Sequence, residues 1–144
     1  MQTVTSPILA FRGEWRFLSN FWPSTLTIEG IRYHSVEHAY QAMKTLDLEA
    51  RQRISLLAYA KDAKRVGRTV ILRPGWKDMR VAVMNNLVRQ KFNQDVWLRQ
   101  MLLSTGDAEL VEGNNWGDRF WGVSRGVGEN VLGKILMKVR SELR

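Results

Sequence analysis

Three polar residues, Glu37, Gln41 and Lys44, bring a carboxylate, an amide and an amine to one short stretch of the chain. Ser35, just before them, is a typical helix N-cap, and good helix formers follow it. At about 100° per residue, the three polar groups then occupy a wedge of roughly 60° on one helix. A carboxylate and an amine held together beside a pocket can act on a carbonyl-like carbon, such as the anomeric carbon of a sugar.

The same spacing is also typical of an ordinary amphipathic helix whose polar side faces water. The opposite side would then carry an apolar stripe toward the core, formed by Val36, Ala39, Met43 and Leu46. Taken alone, the pattern favours this simpler interpretation, so the rest of the chain must supply the reason to expect a reactive site.

An aromatic cluster near the N-terminus surrounds Leu18-Ser19-Asn20. It consists of Phe11, Trp15, Phe17, Phe21 and Trp22. Aromatic residues at this density usually build a core, although a flat base or ring can also stack on one of them. Asn20 needs hydrogen-bond partners if it is buried, and it is predicted to hold a loop or a substrate hydroxyl.

A glycine-rich segment, residues 113–130, leads into the last predicted helix. The backbone N–H groups at that helix start, together with the helix dipole, predict a phosphate seat from Gly128 to Asn130. The glycine spacing matches neither G-x-x-x-x-G-K-[ST] nor G-x-G-x-x-G, so the loop alone is a weak signal.

Residues 34–38 read His-Ser-Val-Glu-His, which literally matches the H-x-x-E-H zinc motif. With Ser35 as the N-cap, His34 lies outside the helix, and the chain has only two histidines. The chain has no cysteine, which excludes disulfides and thiolate metal sites. We therefore predict no metal site and no cofactor.

Length and composition are those of an ordinary soluble domain: 144 residues, 44% hydrophobic and 25% charged. One domain spanning residues 1–144 is predicted. No apolar run is long enough to cross a bilayer, and Met1 to Pro7 is polar, without a signal-peptide pattern. A cytoplasmic location without membrane partners is therefore expected.

The net charge of +8 is concentrated in residues 51–99, which carry twelve basic and three acidic side chains. Such a field attracts phosphate-bearing partners such as a nucleotide, a nucleic acid or a sugar phosphate. A solvated helical face that only keeps the protein soluble explains the charge equally well.

The predicted elements are mostly helices, with a hairpin around Glu29-Gly30 and short strands at Ile8 to Phe11 and Arg68 to Leu72. Predicted helices begin near Ser35, Asp47, Lys61, Pro74, Asp95 and Asn130. The fold class is therefore α+β: a mostly helical single domain with small antiparallel strand pieces near the N-terminus. The predicted elements do not alternate regularly as β-α-β, so a doubly wound nucleotide fold is not expected.

Four segments together resemble the NADAR family, also called YbiA-like, over nearly the whole chain. They are Phe17 to Phe21, Ser35 to Lys44, Asp118 to Gly122, and Asn130 to Gly133 with the helix that follows. One departure is Val36, which stands where the family usually has a serine or threonine, so Ser35 is expected to supply the cap.

This resemblance implies an N-glycosidase that acts on glycosylamines, in which a nitrogen outside a base ring is joined to C1 of a ribose. Two substrate groups are associated with the family. One is ADP-ribose on the exocyclic amine of guanine, in a nucleotide or a nucleic acid; the other is the ribosylaminopyrimidine phosphates of riboflavin synthesis. The positive charge of residues 51–99 favours the first.

The resemblance also implies roles for individual residues. Lys44, if neutral, would attack C1 and form a Schiff base, and burial beside other cations would lower its pKa for that purpose. Glu37 would transfer protons, while Asp118 would share that work or hold the ribose hydroxyls. The implied substrate-binding residues are Asn20, Phe21, His38, Gln41, Trp121, Gly122, Gly128 and Asn130.

Three alternatives remain open at this point. Glu37 and Asp118 could flank the bond as two carboxylates, with Lys44 only attracting phosphate. The basic segment and the tryptophans could bind a nucleotide or nucleic acid without reacting with it. The chain could also be an inactive stabiliser of a partner, although the presence of both Glu37 and Lys44 argues against this.

Overall fold

The computed structural model describes residues 6–144, so most of the polar segment from Met1 to Pro7 lies outside the described residues. The described chain divides into two compact units. The first unit is Asn20–Lys91, and the second comprises residues 6–19 and Phe92–Arg144. Each unit is described by itself, and the single domain spanning residues 1–144 stays a prediction.

The first unit begins with the predicted hairpin, which is confirmed. Strands β1 (Leu26–Ile28) and β2 (Ile31–Tyr33) pair antiparallel. Glu29 and Gly30 connect them with φ values of 49° and 82°. Positive φ at both central residues is typical of the type I′ turn, which suits the twist of a two-residue hairpin.

Helices make up most of the remainder of the first unit. They are α1 (Val36–Met43), α2 (Leu48–Ser55), α3 (Ala60–Gly67) and α4 (Trp76–Gln94), of which the last three residues belong to the second unit. The predicted caps at Ser35 and Asp47 are confirmed, because each side chain accepts a hydrogen bond from a first-turn backbone N–H. Helix α1 is buried around its whole circumference, since α2, α3 and the hairpin pack against it.

Two predictions for the first unit are wrong. The apolar stripe of α1 does not extend to Leu46, which is 58% exposed because the helix ends at Met43. Arg68 to Leu72 does not form a strand, since α3 continues to Gly67 and no described strand pairs with the segment that follows. An extended segment without a partner leaves its backbone groups to water.

The second unit holds a short 3-10 helix (Gly13–Leu18), α5 (Val96–Ser104) and α6 (Val131–Leu143). Two very short strands, β3 (Gly113–Asn114) and β4 (Val123–Ser124), pair in parallel, which the sequence did not predict. The predicted strand from Ile8 to Phe11 is wrong, because only Ile8 pairs, in a single bridge to Leu110.

The core of the second unit depends on the apolar side of α6. Its members are all buried: Leu132, Ile135, Leu136, Val139 and Leu143. Asp95 caps α5 as predicted, by accepting a hydrogen bond from the Leu98 N–H. The mostly helical α+β class is confirmed. Within residues 6–144, no helix is long and apolar enough to cross a membrane.

Candidate active site

Glu37 and Gln41 lie inside the first unit, with only 7% and 4% of their surfaces exposed. The Gln41 side-chain amide donates a hydrogen bond of 2.7 Å from Nε2 to Oε1 of Glu37. A buried carboxylate is costly unless such a donor faces it. The interpretation of this polar wedge as a solvated helix face is therefore wrong, and α1 carries a carboxylate held in place within the fold.

The other end of the Gln41 amide is unusual. Its Oε1 atom is buried and has no hydrogen-bond partner among residues 6–144. A buried acceptor without a donor costs about 1–3 kcal/mol. Such an atom, one amide away from the Glu37 carboxylate, can accept an N–H or O–H of a molecule that binds there.

Gly67, in the last turn of α3, explains how Gln41 fits. A Cβ atom on Gly67 would lie 1.9 Å from Gln41 Oε1 and 2.5 Å from its Cδ. Gly67 is the last residue of α3, and the absence of a side chain there lets α3 approach α1 closely at the Gln41 amide.

Lys44 caps the C-terminal end of α1, half-buried, with its Nζ 5.6 Å from the centre of the Tyr40 ring. Burial lowers the pKa of Lys44, and the positive charges of Arg68 and Lys64 lower it further, while Glu37 acts in the opposite direction. The structure thus brings Glu37 and Lys44 within electrostatic reach of one another. It also lowers the pKa of Lys44, which increases the share of the neutral amine relative to a solvated lysine, and the neutral amine is the form that can act as a nucleophile.

Both ends of α1 are held by side chains or backbone from elsewhere in the unit. At the start, the Glu37 N–H donates to the Asn20 carbonyl at 3.1 Å. At the end, the Arg51 Nε donates to the Thr45 carbonyl at 2.8 Å, and its Nη1 pairs with Glu29. Arg51 is buried, so it anchors the helix and does not add to the surface charge expected for residues 51–99.

His38 has a structural role that sequence reasoning missed. Its Nε2–H donates to the Leu57 carbonyl at 2.9 Å, and its Nδ1 accepts from the Ser35 hydroxyl at 2.7 Å. Burial lowers the pKa of His38 and favours this neutral ring. Both ring nitrogens are engaged within the protein, and a substrate contact through His38 stays a prediction. Among residues 6–144, no group of three His, Asp or Glu side chains is placed to hold a metal ion.

The residues of the N-terminal aromatic cluster fall into two groups, those that build a core and those that leave a ring exposed. Phe11 and Phe17 are buried in the core of the second unit. Phe21, in the first unit, is 42% exposed, and the Nζ of Lys64 lies 6.0 Å from its ring centre. A flat group can therefore reach the Phe21 ring. The Asn20 amide donates to the Met84 sulfur at 3.5 Å.

In the second unit, Asp118 organises the loop that follows it. One carboxylate oxygen, Oδ1, accepts from the N–H groups of Phe120 and Trp121 at 3.1 and 2.9 Å. The Asn114 side chain holds the backbone of Asp118. Its Oδ1 accepts from the Asp118 N–H, and its Nδ2 donates to the Asp118 carbonyl. The geometry gives Asp118 a clear structural task, and its catalytic task stays a prediction.

At the start of α6, several backbone N–H groups are paired within the chain. The backbone N–H groups of residues 129, 130, 131 and 132 donate in turn to the carbonyls of residues 119, 122, 120 and 121. The Asn130 side chain is also engaged, since its amide bridges the Leu110 carbonyl and the Glu112 N–H. The N–H groups of Glu129 and Asn130 are thus used by the chain itself, and a phosphate contact at Gly128 to Asn130 stays a prediction.

Two further predicted residues support this loop. A Cβ on Gly122 would lie 1.8 Å from the Glu112 carboxylate, so only glycine fits. Trp121 is half-buried, with the Phe120 ring edge-on at 4.8 Å. Both positions hold the loop in shape, and their contact with a substrate stays a prediction.

The sequence is similar to those of known proteins. The family model of the NADAR domain matches residues 10–144. The chain is 43% identical, over 131 residues, to a riboflavin biosynthesis protein of Vibrio vulnificus, covering 89% of this chain but only 35% of that protein. It is 38% identical, over 130 residues, to the N-glycosidase YbiA of Escherichia coli, covering 87% of this chain and 79% of that protein.

A solved structure is also similar. The NMR structure of Escherichia coli YbiA aligns with a TM-score of 0.84 and 34% identity, over 99% of this chain and 86% of that chain. An N-glycosidase of Nostoc punctiforme is 39% identical to this chain over 132 residues, covering 84% of that protein.

Substitution of Gly67 tests the contact between α3 and Gln41. Gly67→Ala is expected to lower the free energy of unfolding by about 1–3 kcal/mol, as overpacking of a filled interior does. In a Gln41→Ala background the same substitution should cost less, because the amide atoms it would strike are gone. Urea unfolding of the four proteins measures this, and an equal cost in both backgrounds would contradict the contact.

The pKa of Lys44 can be tested by acetylation across a pH series, followed residue by residue with mass spectrometry. Labelling of Lys44 is expected at lower pH than is usual for lysine, because the neutral amine reacts. Lys64→Gln should move the labelling midpoint up by removing a neighbouring cation, and Glu37→Gln should move it down. The exposed Lys138 serves as the internal reference; a Lys44 midpoint that ignores both substitutions would refute the electrostatic account.

Proposed function

The chain belongs to the NADAR domain family, and we propose that it is an N-glycosidase that cleaves the bond between C1 of a ribose and an exocyclic amine of a base. Similar proteins from Escherichia coli and Nostoc punctiforme bear the name N-glycosidase. The observation that carries the proposal is the buried Glu37–Gln41 hydrogen bond on the same short helix that ends at Lys44, whose pKa is lowered.

Lys44 is the proposed nucleophile. Its neutral amine attacks C1 of the ribose, and the C1–O4 ring bond and the bond from C1 to the base amine both break. The two protons of the lysine amine pass to O4 and to the departing base amine, which leaves a Schiff base between C1 of the opened sugar and Nζ. Water then adds to the Schiff base, which releases the free sugar and restores the amine. Net, one water is consumed, and the products are a free base amine and a free ribose derivative.

Glu37 is the proposed proton carrier for both halves of the reaction. It delivers a proton to the departing amine and later takes one from the attacking water. The hydrogen bond from Gln41 fixes one carboxylate oxygen in place at 2.7 Å. The Gln41 Oε1, buried without a partner among the described residues, is the proposed acceptor for an N–H or O–H of the substrate.

ADP-ribose attached to guanine, in a nucleotide or nucleic acid, is the proposed substrate. Lys64 and Arg68 both act electrostatically on Lys44, so cations surround the proposed nucleophile. A diphosphate near C1 is attracted by such a field. Phe21, exposed beside Lys64, offers a ring on which a base can stack.

Ribosylaminopyrimidine phosphates are the second candidate, because the names of similar proteins from Vibrio vulnificus and Zea mays refer to riboflavin biosynthesis. The chain covers 35% and 25% of those two proteins, which carry much additional sequence. The reaction proposed for Lys44 and Glu37 is the same for both substrates, since both contain a glycosylamine bond.

A mechanism with Glu37 and Asp118 as paired carboxylates is less well supported. Asp118 already uses Oδ1 to hold the N–H groups of Phe120 and Trp121, whereas the lowered pKa of Lys44 suits a nucleophile. Asp118 therefore enters the proposal as a residue that keeps its loop in shape.

Turnover of the two substrates tests the function. We expect release of free ADP-ribose from an ADP-ribosylated guanine oligonucleotide, measured by liquid chromatography with mass spectrometry. Glu37→Gln and Lys44→Ala should each lower kcat by about 10²–10⁴-fold, the usual contribution of a proton-transfer or nucleophilic group. Lys138→Ala is the control for loss of one lysine. Tight retention of both substrates without any product would refute the enzyme and favour a binding module.

The Schiff base is tested by borohydride reduction during turnover. A sugar adduct on Lys44, located by peptide mass spectrometry, is the expected result. Lys44→Arg should be inactive, because a guanidinium keeps the positive charge but does not act as a nucleophile at neutral pH. An active Lys44→Arg variant, or the absence of any adduct from a protein that turns over, would leave the lysine an electrostatic role only.

A further inference from the structure

We propose that a cleft in the second unit binds a nucleoside phosphate, with the base stacked on Trp116 and the phosphate held by Arg119 and Arg125. This site goes beyond the proposed reaction, because none of its residues belongs to the Glu37 and Lys44 machinery. The cleft has a volume of about 330 Å³ and is lined by Asn115, Trp116, Gly117, Arg119, Ser124 and Arg125.

Trp116 supplies a large flat surface. Its side chain is 58% exposed although an indole loses free energy in contact with water. Stacking of a nucleic-acid base on such a ring contributes about 1–3 kcal/mol and tolerates any base, because every base has a flat face.

The two arginines supply the charge. Both are exposed, and among residues 6–144 neither guanidinium forms an ion pair with a carboxylate. A guanidinium presents paired N–H donors that match the oxygens of a phosphate. An aromatic ring flanked by two such groups in one concave site is the combination that recognises a base and its phosphate together.

Arg125 occupies a position that ordinarily favours other residues. Ser124 and Val127 exchange two backbone hydrogen bonds, of 2.9 and 3.2 Å, around the turn Arg125-Gly126. Both turn residues have positive φ, 52° and 78°, as in a type I′ turn, where asparagine, aspartate or glycine is preferred. An arginine in this conformation costs roughly 1–2 kcal/mol, which a role for its side chain at the cleft would explain.

The rim of the cleft is held in place from within. The Ser124 hydroxyl, which is buried, accepts a hydrogen bond from the Gly117 N–H at 3.2 Å. The Asn114 side chain joins both backbone groups of Asp118, at 2.9 and 3.0 Å. The backbone that carries Trp116 and Arg119 is therefore ordered before any ligand arrives, which lowers the entropic cost of binding.

A nucleoside phosphate has two sources, a free nucleotide and a nucleotide within a single-stranded nucleic acid. The probes that separate them are thymidine monophosphate, an unmodified oligothymidylate and inorganic phosphate, each titrated calorimetrically at two salt concentrations. None of these probes contains a glycosylamine bond, so the result does not depend on whether the proposed glycosidase reaction is correct.

Three variants and one matched control test the site in the full chain. Trp116→Ala should raise the dissociation constant of the oligothymidylate about tenfold, as loss of one stacked base predicts, while Trp116→Phe should retain most of the affinity. Arg119→Ala with Arg125→Ala should weaken binding at least as much and reduce the salt slope by about 1.4, or roughly 0.7 for each lost phosphate contact. Lys134→Ala with Lys138→Ala removes the same charge from exposed positions of α6 and should change the affinity less than threefold.

The outcomes separate cleanly. Weakened binding of both thymidine probes supports a nucleoside phosphate from either source, and binding of the oligothymidylate alone identifies single-stranded nucleic acid as that source. Inorganic phosphate that binds as tightly as thymidine monophosphate would overturn the stacking role of Trp116. Equal effects of the arginine and lysine pairs would overturn the site, because they would reduce it to the general charge of the protein.

Discussion

A carboxylate removed from water must be given a hydrogen-bond donor, and in this protein the Gln41 amide is that donor for Glu37. The surrounding structure of the first unit is arranged around this pair. Gly67 leaves room for the amide, and Arg51 holds the C-terminal end of α1. The Asn20 carbonyl takes the backbone N–H of Glu37 itself. The eight residues of α1 are too few to be stable alone, so these contacts decide that the helix exists at all.

The charges near Lys44 are the second feature of this part of the first unit. Lys44 lies where burial and the cations Lys64 and Arg68 disfavour its protonated form, while Glu37 favours it. The net effect is a pKa for Lys44 below that of a solvated lysine, which is the direction that the proposed role as a nucleophile requires. Lys64 and Arg68, which lower this pKa, are also the cations that the proposal assigns to attracting a phosphorylated substrate.

The sequence predicted what is local and missed what depends on distant contacts. Ser35 and Asp47 were identifiable as caps, because a cap acts within three residues of itself. The Glu37–Gln41 pair was identifiable from helical spacing, although its burial was not, since burial depends on α2 and α3 packing over it. Gly67 and Arg51 gave no recognisable signal, because their partners lie 26 and 22 positions away. Asn130 is the N-cap residue of α6, where the helix was predicted to begin, but its side chain forms no capping hydrogen bond. Its backbone is left-handed, with φ of 53°, and its side chain instead bridges residues 110 and 112.

The start of α6 is closed by four carbonyls of residues 119–122, each paired with one amide of residues 129–132. These four hydrogen bonds set the register between residues 119–122 and the start of α6, so one residue inserted within 119–122 would move at least one carbonyl away from its amide. The tips at residues 115–117 and 125–127 take no part in these four hydrogen bonds. A substitution or an insertion there therefore lowers the free energy of unfolding less than one within the bonded residues. The segment thus combines a hydrogen-bonded frame with two tips that take no part in these four bonds.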